Sequence, residues 1–511
     1  MKRLVRWLIL PLLFIAIGIG LMQGWYYVFP PKAERVVQSA DAELSRNIGG
    51  AGSLAVPTLA QGTIHEVRDG DSIQEAVLTA QPGDTVMVYP GTYSETVYID
   101  KDDIVLMGVV EEGEYPTLDG NKELNDAILY SGSDITIDSF KIMDYKGNAI
   151  MGQAGNNFVI RNNLVIDTGV YGIFPQFGTN GLIEHNVLTG IEDAAIYVGM
   201  SDHIDVRHNE VFGNVAGIEI ENTRHALVEN NYVYDNAGGI LAFITPGLPI
   251  KTTYDVIIRD NFVVNNNHVN FAEPGSIVAN VPQGTGILVM AADDVVIENN
   301  IITGNNSVGI GITDLSLVTD VSKDPGSEPN PDRMVIMDNV MYNNGSDPKG
   351  ILKDLISVVG RDTGPDIMDT GKGSGKCIAD VNRYQTLFLL GADYGVCDRL
   401  EYATDGLFTM TLEDMAPTEV KQDVSDADFE KEIGKRAYYG VCTGCHTYSV
   451  RMIGPSVKSI QALYFDNPEG IAEYINDPIK KRDDYPEMPP QNYLTEETRM
   501  AVAKYMLGVR E

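Results

Sequence analysis

Residues 181–222 read GLIEHNVLTGIEDAAIYVGMSDHIDVRHNEVFGNVAGIEIEN, and one short pattern occurs twice within them. Each copy has a few alternating apolar residues, a His-Asn pair, a second short apolar segment, a polar turn, and then Ala-Ile or Gly-Ile. Self-similarity at a fixed period is typical of a solenoid, so it has to be interpreted before any single element.

The repeat extends over residues 62–351 with a basic period of 22 to 23 residues. That length is too short for a pair of helices, and the alternating Val- and Ile-rich segments predict coils of three short strands. Coils of this kind stack about 4.8 Å apart. The paired asparagines are predicted to form a hydrogen-bonded ladder, and one isoleucine is expected to end each turn facing inward. The asparagines are Asn163, Asn186, Asn209, Asn231, Asn261, Asn300 and Asn339; the isoleucines are Ile173, Ile196, Ile218, Ile240, Ile287, Ile310 and Ile351.

Both ends of a solenoid expose strand edges and need caps. At the N-terminal end, Ile73, Ala76, Val77 and Ala80 share one helical face, which predicts a capping helix. Residues 352–424 are expected to form the C-terminal cap and a linker.

The first 30 residues predict an export signal, because Lys2, Arg3 and Arg6 precede an apolar run over residues 7–22. The nearest small-x-small cleavage pattern lies far downstream, which favours a single-pass anchor over residues 1–30; a cleaved signal is the alternative. Residues 31–61 form a linker, and the positive-inside rule places the rest of the chain on the periplasmic face of the membrane. In that oxidising compartment Cys377 and Cys397 are predicted to pair.

The chain has 37 Lys and Arg residues against 72 Asp and Glu, a formal charge of -35. This charge argues against nucleic acid as a partner, because phosphates are repelled. It favours basic partners or bound divalent cations such as Ca²⁺.

Because side chains alternate along a strand, the residues after each inward isoleucine are expected to form an exposed outward column. Aromatic rings beside carboxylates suit the binding of a sugar, because the rings can contact its apolar face and the carboxylates its hydroxyl groups. Long insertions after Ile240, Asn261 and Ile310 are expected to wall a cleft over the column. The column contains Met151, Phe174, Tyr197, Glu219, Leu241 and Leu288, beside Gln153, Gln176, Gly199, Glu221, Phe243 and Met290.

Glu219 and Glu221 lie two apart on one strand face, which would place their carboxyl groups roughly 6 to 7 Å apart. Such a pair suits either the binding of Ca²⁺ or acid–base catalysis at a glycosidic bond. Asp193 and Tyr197 are further candidates for the same site. A solvated edge, or packing beneath the inserted loops, is the alternative explanation.

Near the C-terminus, Cys442-x-x-Cys445-His446 has the spacing that attaches haem c through two thioethers, with the imidazole as an iron ligand. A zinc site would need two further ligands, and no other histidine follows His268. Four methionines are available as the second axial ligand. Met452 is too close in sequence, and Met500 and Met506 lie on a predicted closing helix, which leaves Met488 in YPEMPP.

Residues 425–511 form the predicted haem domain, and from residue 428 they resemble class I cytochromes c, with Gly434 and Tyr438 before the haem motif and Gly454-Pro455 after it. The resemblance implies that the Pro455 carbonyl orients His446. His/Met ligation leaves no open iron position and favours electron transfer.

The segments DAAIYVG (193–199), AGIEIEN (216–222) and GGILAF (238–243) resemble a bacterial family of exported repeat proteins with no established activity. The resemblance implies a pectate-lyase-like, right-handed parallel β-helix, and family members occur beside or joined to c-type cytochromes. The expected architecture is therefore an all-β solenoid followed by an all-α cytochrome c domain.

Three hypotheses for the function stay open. In the favoured one, a membrane-anchored monohaem cytochrome passes electrons to a redox partner, another cytochrome, while the β-helix binds a polysaccharide or partner protein. The alternative makes the β-helix a carbohydrate-active enzyme, either a lyase, an epimerase or a haem-coupled oxidoreductase. The third makes the β-helix a scaffold only.

Overall fold

The computed structural model describes residues 62–404 and 426–510, apart from residues 275, 277, 318–320, 450 and 452. The predicted anchor, the first linker, the end of the C-terminal cap region and Met452 lie outside the described residues. Within the described part, no helix is long and apolar enough to cross a membrane.

The repeat region forms a parallel β-helix, as its period predicts. Each complete coil contributes one strand to each of three sheets, here called A, B and C in chain order. Sheet A has 13 strands. They are Ile64–Val67, Thr85–Val88, Val105–Gly108, Thr136–Asp138, Phe158–Arg161, Thr179–Glu184, Asp202–Arg207, Arg224–Glu229, Tyr254–Arg259, Asp293–Glu298, Val335–Met337, Lys376–Ile378 and Tyr394–Gly395.

Sheets B and C complete the triangular coil, with 10 and 11 strands. The strands of sheet B are Gly91–Tyr93, Pro116–Asp119, Lys141–Met143, Leu164–Ile166, Val187–Thr189, Glu210–Phe212, Tyr232–Tyr234, Phe262–Val264, Ile301–Thr303 and Val340–Tyr342. Those of sheet C are Val97–Ile99, Ile128–Tyr130, Ile150–Gln153, Tyr171–Gln176, Ala194–Gly199, Ala216–Glu221, Gly238–Phe243, Thr285–Met290, Val308–Thr313, Ile367–Asp369 and Thr386–Phe388.

The first six predicted isoleucines form an inward ladder in sheet C, each paired with the next. The prediction for Ile351 is wrong, because this residue is 53% exposed and lies on the helix Gly350–Val358. Leu352, Leu355 and Ile356 of that helix pack together, so the apolar spacing there has a helical period. Ile367 takes the next ladder position, and the strands continue to residue 395 rather than ending at 351.

The predicted asparagine ladder is confirmed at the corner between sheets A and B. Asn186 Nδ2, for example, donates to Asn209 Oδ1 at 3.0 Å, and Asn209 Nδ2 donates to Asn231 Oδ1 at 3.0 Å. A second, unpredicted ladder runs along the corner between sheets B and C. Its members are Asn214, Asn236, Asn266, Asn305 and Asn344.

A column of alternating charge runs along the outward side of sheet A. Successive coils place opposite charges in register, and all of these side chains are buried. Arg207 Nε, for example, donates to Glu184 Oε2 at 3.0 Å. The members of this charge ladder are Asp138, Arg161, Glu184, Arg207, Glu229, Arg259 and Glu298.

The N-terminal cap is the predicted helix, Ile73–Thr79, with Ser72 accepting from the Glu75 amide at its start. Ile73, Val77 and Ala80 are fully buried in the core of the solenoid. At the other end, Cys377 and Cys397 form the predicted disulfide, with their Cα atoms 5.0 Å apart. Short helices accompany this end and the insertions: Val278–Asn280, Leu315–Leu317, Val321–Lys323, Val381–Arg383 and Arg399–Tyr402.

The C-terminal region is partly helical. Its first and last helices cross at Gly434, where an added Cβ would lie 2.3 Å from the Ala501 carbonyl oxygen, so only glycine allows this approach. The helices are Asp426–Ala437, Val457–Leu463, Pro468–Asn476 and Glu496–Gly508, with a π-helical turn at Tyr438–Cys442.

Candidate functional site

The Cys-x-x-Cys-His segment follows the first C-terminal helix and is held against sheet C. Cys442 and Cys445 are both free thiols, the first buried and the second half-buried. His446 Nδ1 lies 2.8 Å from the Pro455 carbonyl oxygen, the contact that the resemblance implies. An added Cβ on Gly454 would lie 2.3 Å from the His446 ring, so glycine lets the chain pass over the imidazole.

The protonation states of these groups follow from burial. Burial and the neighbouring Cys445 raise the pKa of Cys442 to about 12, and burial also raises that of Cys445 to about 12. Burial lowers the pKa of His446, against the Pro455 hydrogen bond, which raises it. The imidazole is therefore neutral at pH 7, the form that ligates a metal ion. Two free thiols beside an oriented, neutral imidazole fit a covalently attached haem.

Met488, the predicted second axial ligand, is half-buried and packs against the same hydrophobic cluster as Cys442. Met500 and Met506 lie on the last helix, as predicted, and Met506 is buried in its packing. Met488 thus stays the predicted ligand.

The haem motif contacts the outward side of sheet C directly. Thr443 Oγ1 donates to Gln153 Oε1 at 3.0 Å. An added Cβ on Gly444 would lie 3.6 Å from Met151 Sδ, and one on Gly440 would lie 3.0 Å from Ser131 Cβ. A side chain at position 440 would therefore press on Ser131, whereas a Cβ at position 444 would make an ordinary van der Waals contact.

Arg436 orients the helix that leads to the motif. Its guanidinium makes a bidentate pair with Asp102, at 2.8 and 2.9 Å, and Nη1 also donates to the Asp100 carbonyl at 3.0 Å. A bidentate arginine–carboxylate pair stabilises the contact and also restricts the orientation of the two side chains.

Most of the outward column of sheet C is buried, and Leu288 and Met290 are half-buried, so the prediction that the column is exposed is wrong. Phe174 and Tyr197 are only 6% and 4% exposed. The cause is tertiary packing. The column shares one hydrophobic cluster with Val278, from the insertion after Asn261, and with residues of the C-terminal helices.

The structure brings together the four candidate residues of the β-helix. Glu219 and Glu221 lie on Ala216–Glu221, while Asp193 and Tyr197 lie on or beside the previous strand of sheet C. Tyr197 packs with Tyr171 and Phe174, with ring centroids 4.5 and 4.7 Å away. This trio forms an aromatic wall beside the three carboxyl groups.

All three carboxyl groups have raised pKa values. Burial and the nearby Glu221 raise the pKa of Asp193 to about 7. Burial, Asp193 and Glu221 hold the pKa of Glu219 well above its usual range. Burial also raises the pKa of Glu221, although Thr245 and Tyr197 oppose the shift. The cluster retains protons near neutral pH, as a general acid must.

Sequence reasoning missed Gln153 as a contact of the haem motif, Arg436 as its anchor, and Tyr171 as part of the aromatic wall. Gln153 and Gln176 were visible as paired outward positions, and Gln153 Nε2 does donate to Gln176 Oε1 at 2.8 Å. The contact between Gln153 and Thr443 joins residues 290 apart, and no local pattern reports it.

Residues 126–246 and 196–324 match the family described as right-handed beta helix region. No curated protein matches the chain in sequence. The family match ends before the C-terminal helices, so the cytochrome interpretation there stays a prediction.

Several solved structures are similar. The A-module of mannuronan C-5 epimerase AlgE4 from Azotobacter vinelandii is 16% identical, with a TM-score of 0.43, and the match covers 71% of this chain and 96% of that one. A DFA-IIIase from Arthrobacter chlorophenolicus A6 without its lid is 12% identical, with a TM-score of 0.39 and coverage of 64% and 98%. The catalytic unit of a GH87 alpha-1,3-glucanase from Streptomyces thermodiastaticus is 12% identical, with a TM-score of 0.38 and coverage of 65% and 67%. The three parallel sheets form a parallel β-helix, and residues 126–324 of it match the model of the right-handed beta helix region.

Proposed function

We propose that this protein is a periplasmic monohaem c-type cytochrome that transfers single electrons, with its haem domain docked permanently on the β-helix. The observation that carries the proposal is the pair of free thiols at Cys442 and Cys445 beside His446, whose Nδ1 lies 2.8 Å from the Pro455 carbonyl oxygen.

Each residue has a defined part in this proposal. Cys442 and Cys445 would hold haem covalently, and His446 and Met488 would supply its iron ligands. The Pro455 carbonyl fixes the imidazole ring. Haem would supply one-electron redox chemistry. With His446 and Met488 both as iron ligands, the group would serve electron transfer and not oxygen chemistry.

Expression with a cytochrome c maturation system tests the proposal. We expect a mass increase of one haem that survives denaturation, and loss of it in Cys442→Ser with Cys445→Ser. Met488→His should keep the low-spin spectrum but lower the reduction potential, since a thioether ligand raises it. A matured protein that carries no covalent haem would overturn the proposal.

A carbohydrate-active site on sheet C is the second candidate function, and the buried carboxyl groups beside the aromatic wall favour it. Asp193 is suited to donate a proton near neutral pH, and Tyr171, Phe174 and Tyr197 offer apolar faces to a sugar ring. Because Glu219 and Glu221 are 3% and 6% exposed, a substrate reaches them only when the covering residues move.

Measurements of turnover and of binding distinguish catalysis by sheet C from simple binding of a glycan. Incubation with neutral and acidic polysaccharides, followed by mass analysis of the products, detects catalysis. Glu219→Gln and Glu221→Gln should abolish turnover if these groups are catalytic, whereas loss of binding alone supports docking of the glycan. Glu192→Gln, an exposed neighbour of Asp193, is the matched control. If neither activity nor binding changes, sheet C is not the site, and the result supports the hypothesis that the β-helix is only a scaffold.

The remaining assignments follow from the same proposal. An N-terminal single-pass anchor would hold the protein at the periplasmic face of the membrane, and another cytochrome would serve as the redox partner. A bound Ca²⁺ stays a prediction. The strongly negative charge supports a cation or a basic partner surface.

A further inference from the structure

Two histidines and an aspartate meet at the corner where sheet C leads into sheet A. Asp202 and Arg224 are in register on neighbouring coils, and each is followed directly by a histidine. His203 and His225 therefore stack one coil apart, with ring centroids 4.5 Å apart.

The ligand atoms of this corner converge on one point. His203 Nδ1 lies 2.6 Å from Asp202 Oδ1, and His225 Nδ1 lies 2.7 Å from the same oxygen. The three atoms all lie within 4.8 Å of one another. Both imidazoles thus place Nδ1 at hydrogen-bond distance from the same carboxylate oxygen, and a metal ion that replaced the Nδ1 protons would meet two nitrogens and one oxygen.

We propose that Asp202, His203 and His225 bind one divalent transition-metal ion through Asp202 Oδ1 and the Nδ1 atoms of both histidines. Two histidines and one carboxylate on one face suit Zn²⁺ or Co²⁺ and leave positions open for water or a further ligand. The side chains are 40%, 31% and 23% exposed for His203, His225 and Asp202, so the ion would enter from solvent.

The surrounding groups support the donor set. Arg224 Nη2 donates to Asp202 Oδ2 at 2.9 Å, which holds the second carboxylate oxygen and leaves Oδ1 facing the histidines. Asp255 Oδ2 lies 3.8 Å from His225 Nε2, on the far side of that ring. That distance is beyond hydrogen-bond range, so Asp255 adds negative charge near the ring without fixing its tautomer.

The neighbouring corner supplies an internal comparison. His185 and His208 stack in the same way, with centroids 5.0 Å apart, but this pair belongs to neither of the two groups of converging ligand atoms found in the described residues. The other such group, Asp293, Glu328 and Asp332, contains only carboxylates. The His203–His225 corner differs from the His185–His208 corner in having the carboxylate of Asp202 beside both rings.

Titration of the full chain with Zn²⁺ by calorimetry tests the proposal. We expect one saturable site whose affinity falls about 100-fold or more in His203→Ala and in His225→Ala. Arg224→Gln should weaken binding about 10- to 100-fold, because it removes the group that holds the second oxygen of Asp202. His185→Ala with His208→Ala should bind Zn²⁺ as the parent chain does.

Thermal unfolding of each variant without metal shows that the fold is retained, and a melting temperature that rises with Zn²⁺ gives a second readout. Zinc held by Cys442, Cys445 and His446 in haem-free protein would be insensitive to His203 and His225, which distinguishes failure of the haem proposal from failure of this one. The metal proposal is overturned if no saturable site is found, or if both histidine variants bind Zn²⁺ as tightly as the parent chain.

Discussion

Asp193 should make the stability of the folded chain depend on pH. Its pKa is about 7 in the folded state, raised by burial and by Glu221, against an unfolded value of about 3.9. Between these values the folded state binds more protons than the unfolded state, so stability falls as pH rises through the window from about 4 to 7. Asp193→Asn should therefore gain stability relative to the parent chain as pH rises, on the order of 1 to 3 kcal/mol by pH 8. Urea unfolding from pH 4 to 8 measures this.

The exposed Glu192→Gln is the control for Asp193→Asn, because it alters a neighbouring carboxyl group outside the buried cluster. If Asp193→Asn and Glu192→Gln show the same pH profile as the parent chain, Asp193 does not titrate in this window.

A single asparagine of the ladder should contribute measurably to stability. Asn209 Nδ2 donates to Asn231 Oδ1 and to the carbonyls of Ile183 and Arg207, and Asn209 Oδ1 accepts from Asn186. Asn209→Ala leaves these buried partners unsatisfied, so we expect a loss of about 3 kcal/mol in the free energy of unfolding.

Asn492→Ala, at an exposed position, should change the free energy of unfolding by less than about 0.5 kcal/mol. Equal effects of the two alanine substitutions in chemical denaturation would contradict a structural role for the ladder.

At the scale of single residues, local spacing predicts a candidate site where its groups lie close together in sequence. Cys442, Cys445 and His446 lie within five residues, and their attachment of haem stays a prediction. The burial of Tyr197 and Glu219 was not predictable in this way, because the residues that cover them come from the insertion after Asn261 and from the C-terminal helices. Alternation along a strand gives the face that a side chain occupies, but the packing partner of that face is a tertiary property.

At the scale of elements, the charge ladder of sheet A should depend on pairing. Arg207 and Glu184 are buried and 3.0 Å apart. Arg207→Met leaves the Glu184 carboxylate buried without this partner, and we expect a loss of about 3 to 5 kcal/mol. Adding Glu184→Leu should recover most of that loss, because no unpaired charge then stays buried.

A double-mutant cycle measured by urea unfolding quantifies the coupling between Arg207 and Glu184. Additive effects of the two substitutions would mean that the pair does not interact in the folded state.

The second asparagine ladder and the charge ladder could both have been predicted from the sequence. Each asparagine of the second ladder lies five residues after one of the first, as Asn214 follows Asn209. Each charged residue except Asp138 lies two before a ladder asparagine, as Arg207 precedes Asn209. The coils repeat these positions as regularly as the isoleucines. Ile351 was misassigned because an apolar residue at roughly the expected distance there begins a helix instead of a strand.

At the scale of the whole molecule, Arg436 joins the C-terminal helices to the β-helix. Its pair with Asp102 is partly exposed, with the arginine side chain 28% accessible, so we expect Arg436→Met to cost about 1 to 2 kcal/mol. The expected result is faster amide exchange over residues 426–446, with little change in the coils. Hydrogen exchange with mass spectrometry measures both regions in one experiment.

Lys435→Met changes the exposed neighbour of Arg436 and is the matched control. If Arg436→Met exchanges as slowly as Lys435→Met over these residues, the ion pair does not hold the helices against sheet C.

The charge ladder also restricts how such a chain can lengthen or shorten in evolution. The asparagine ladders repeat once per coil, so gain or loss of any one coil leaves them intact. The charges alternate from coil to coil, so deletion of a single coil would set Glu184 against Glu229, two buried carboxylates in register. Like charges directly opposite each other destabilise a sheet. Across the coils of the charge ladder, duplications and deletions are therefore tolerated in pairs, and relatives that keep the ladder should differ there by even numbers of coils.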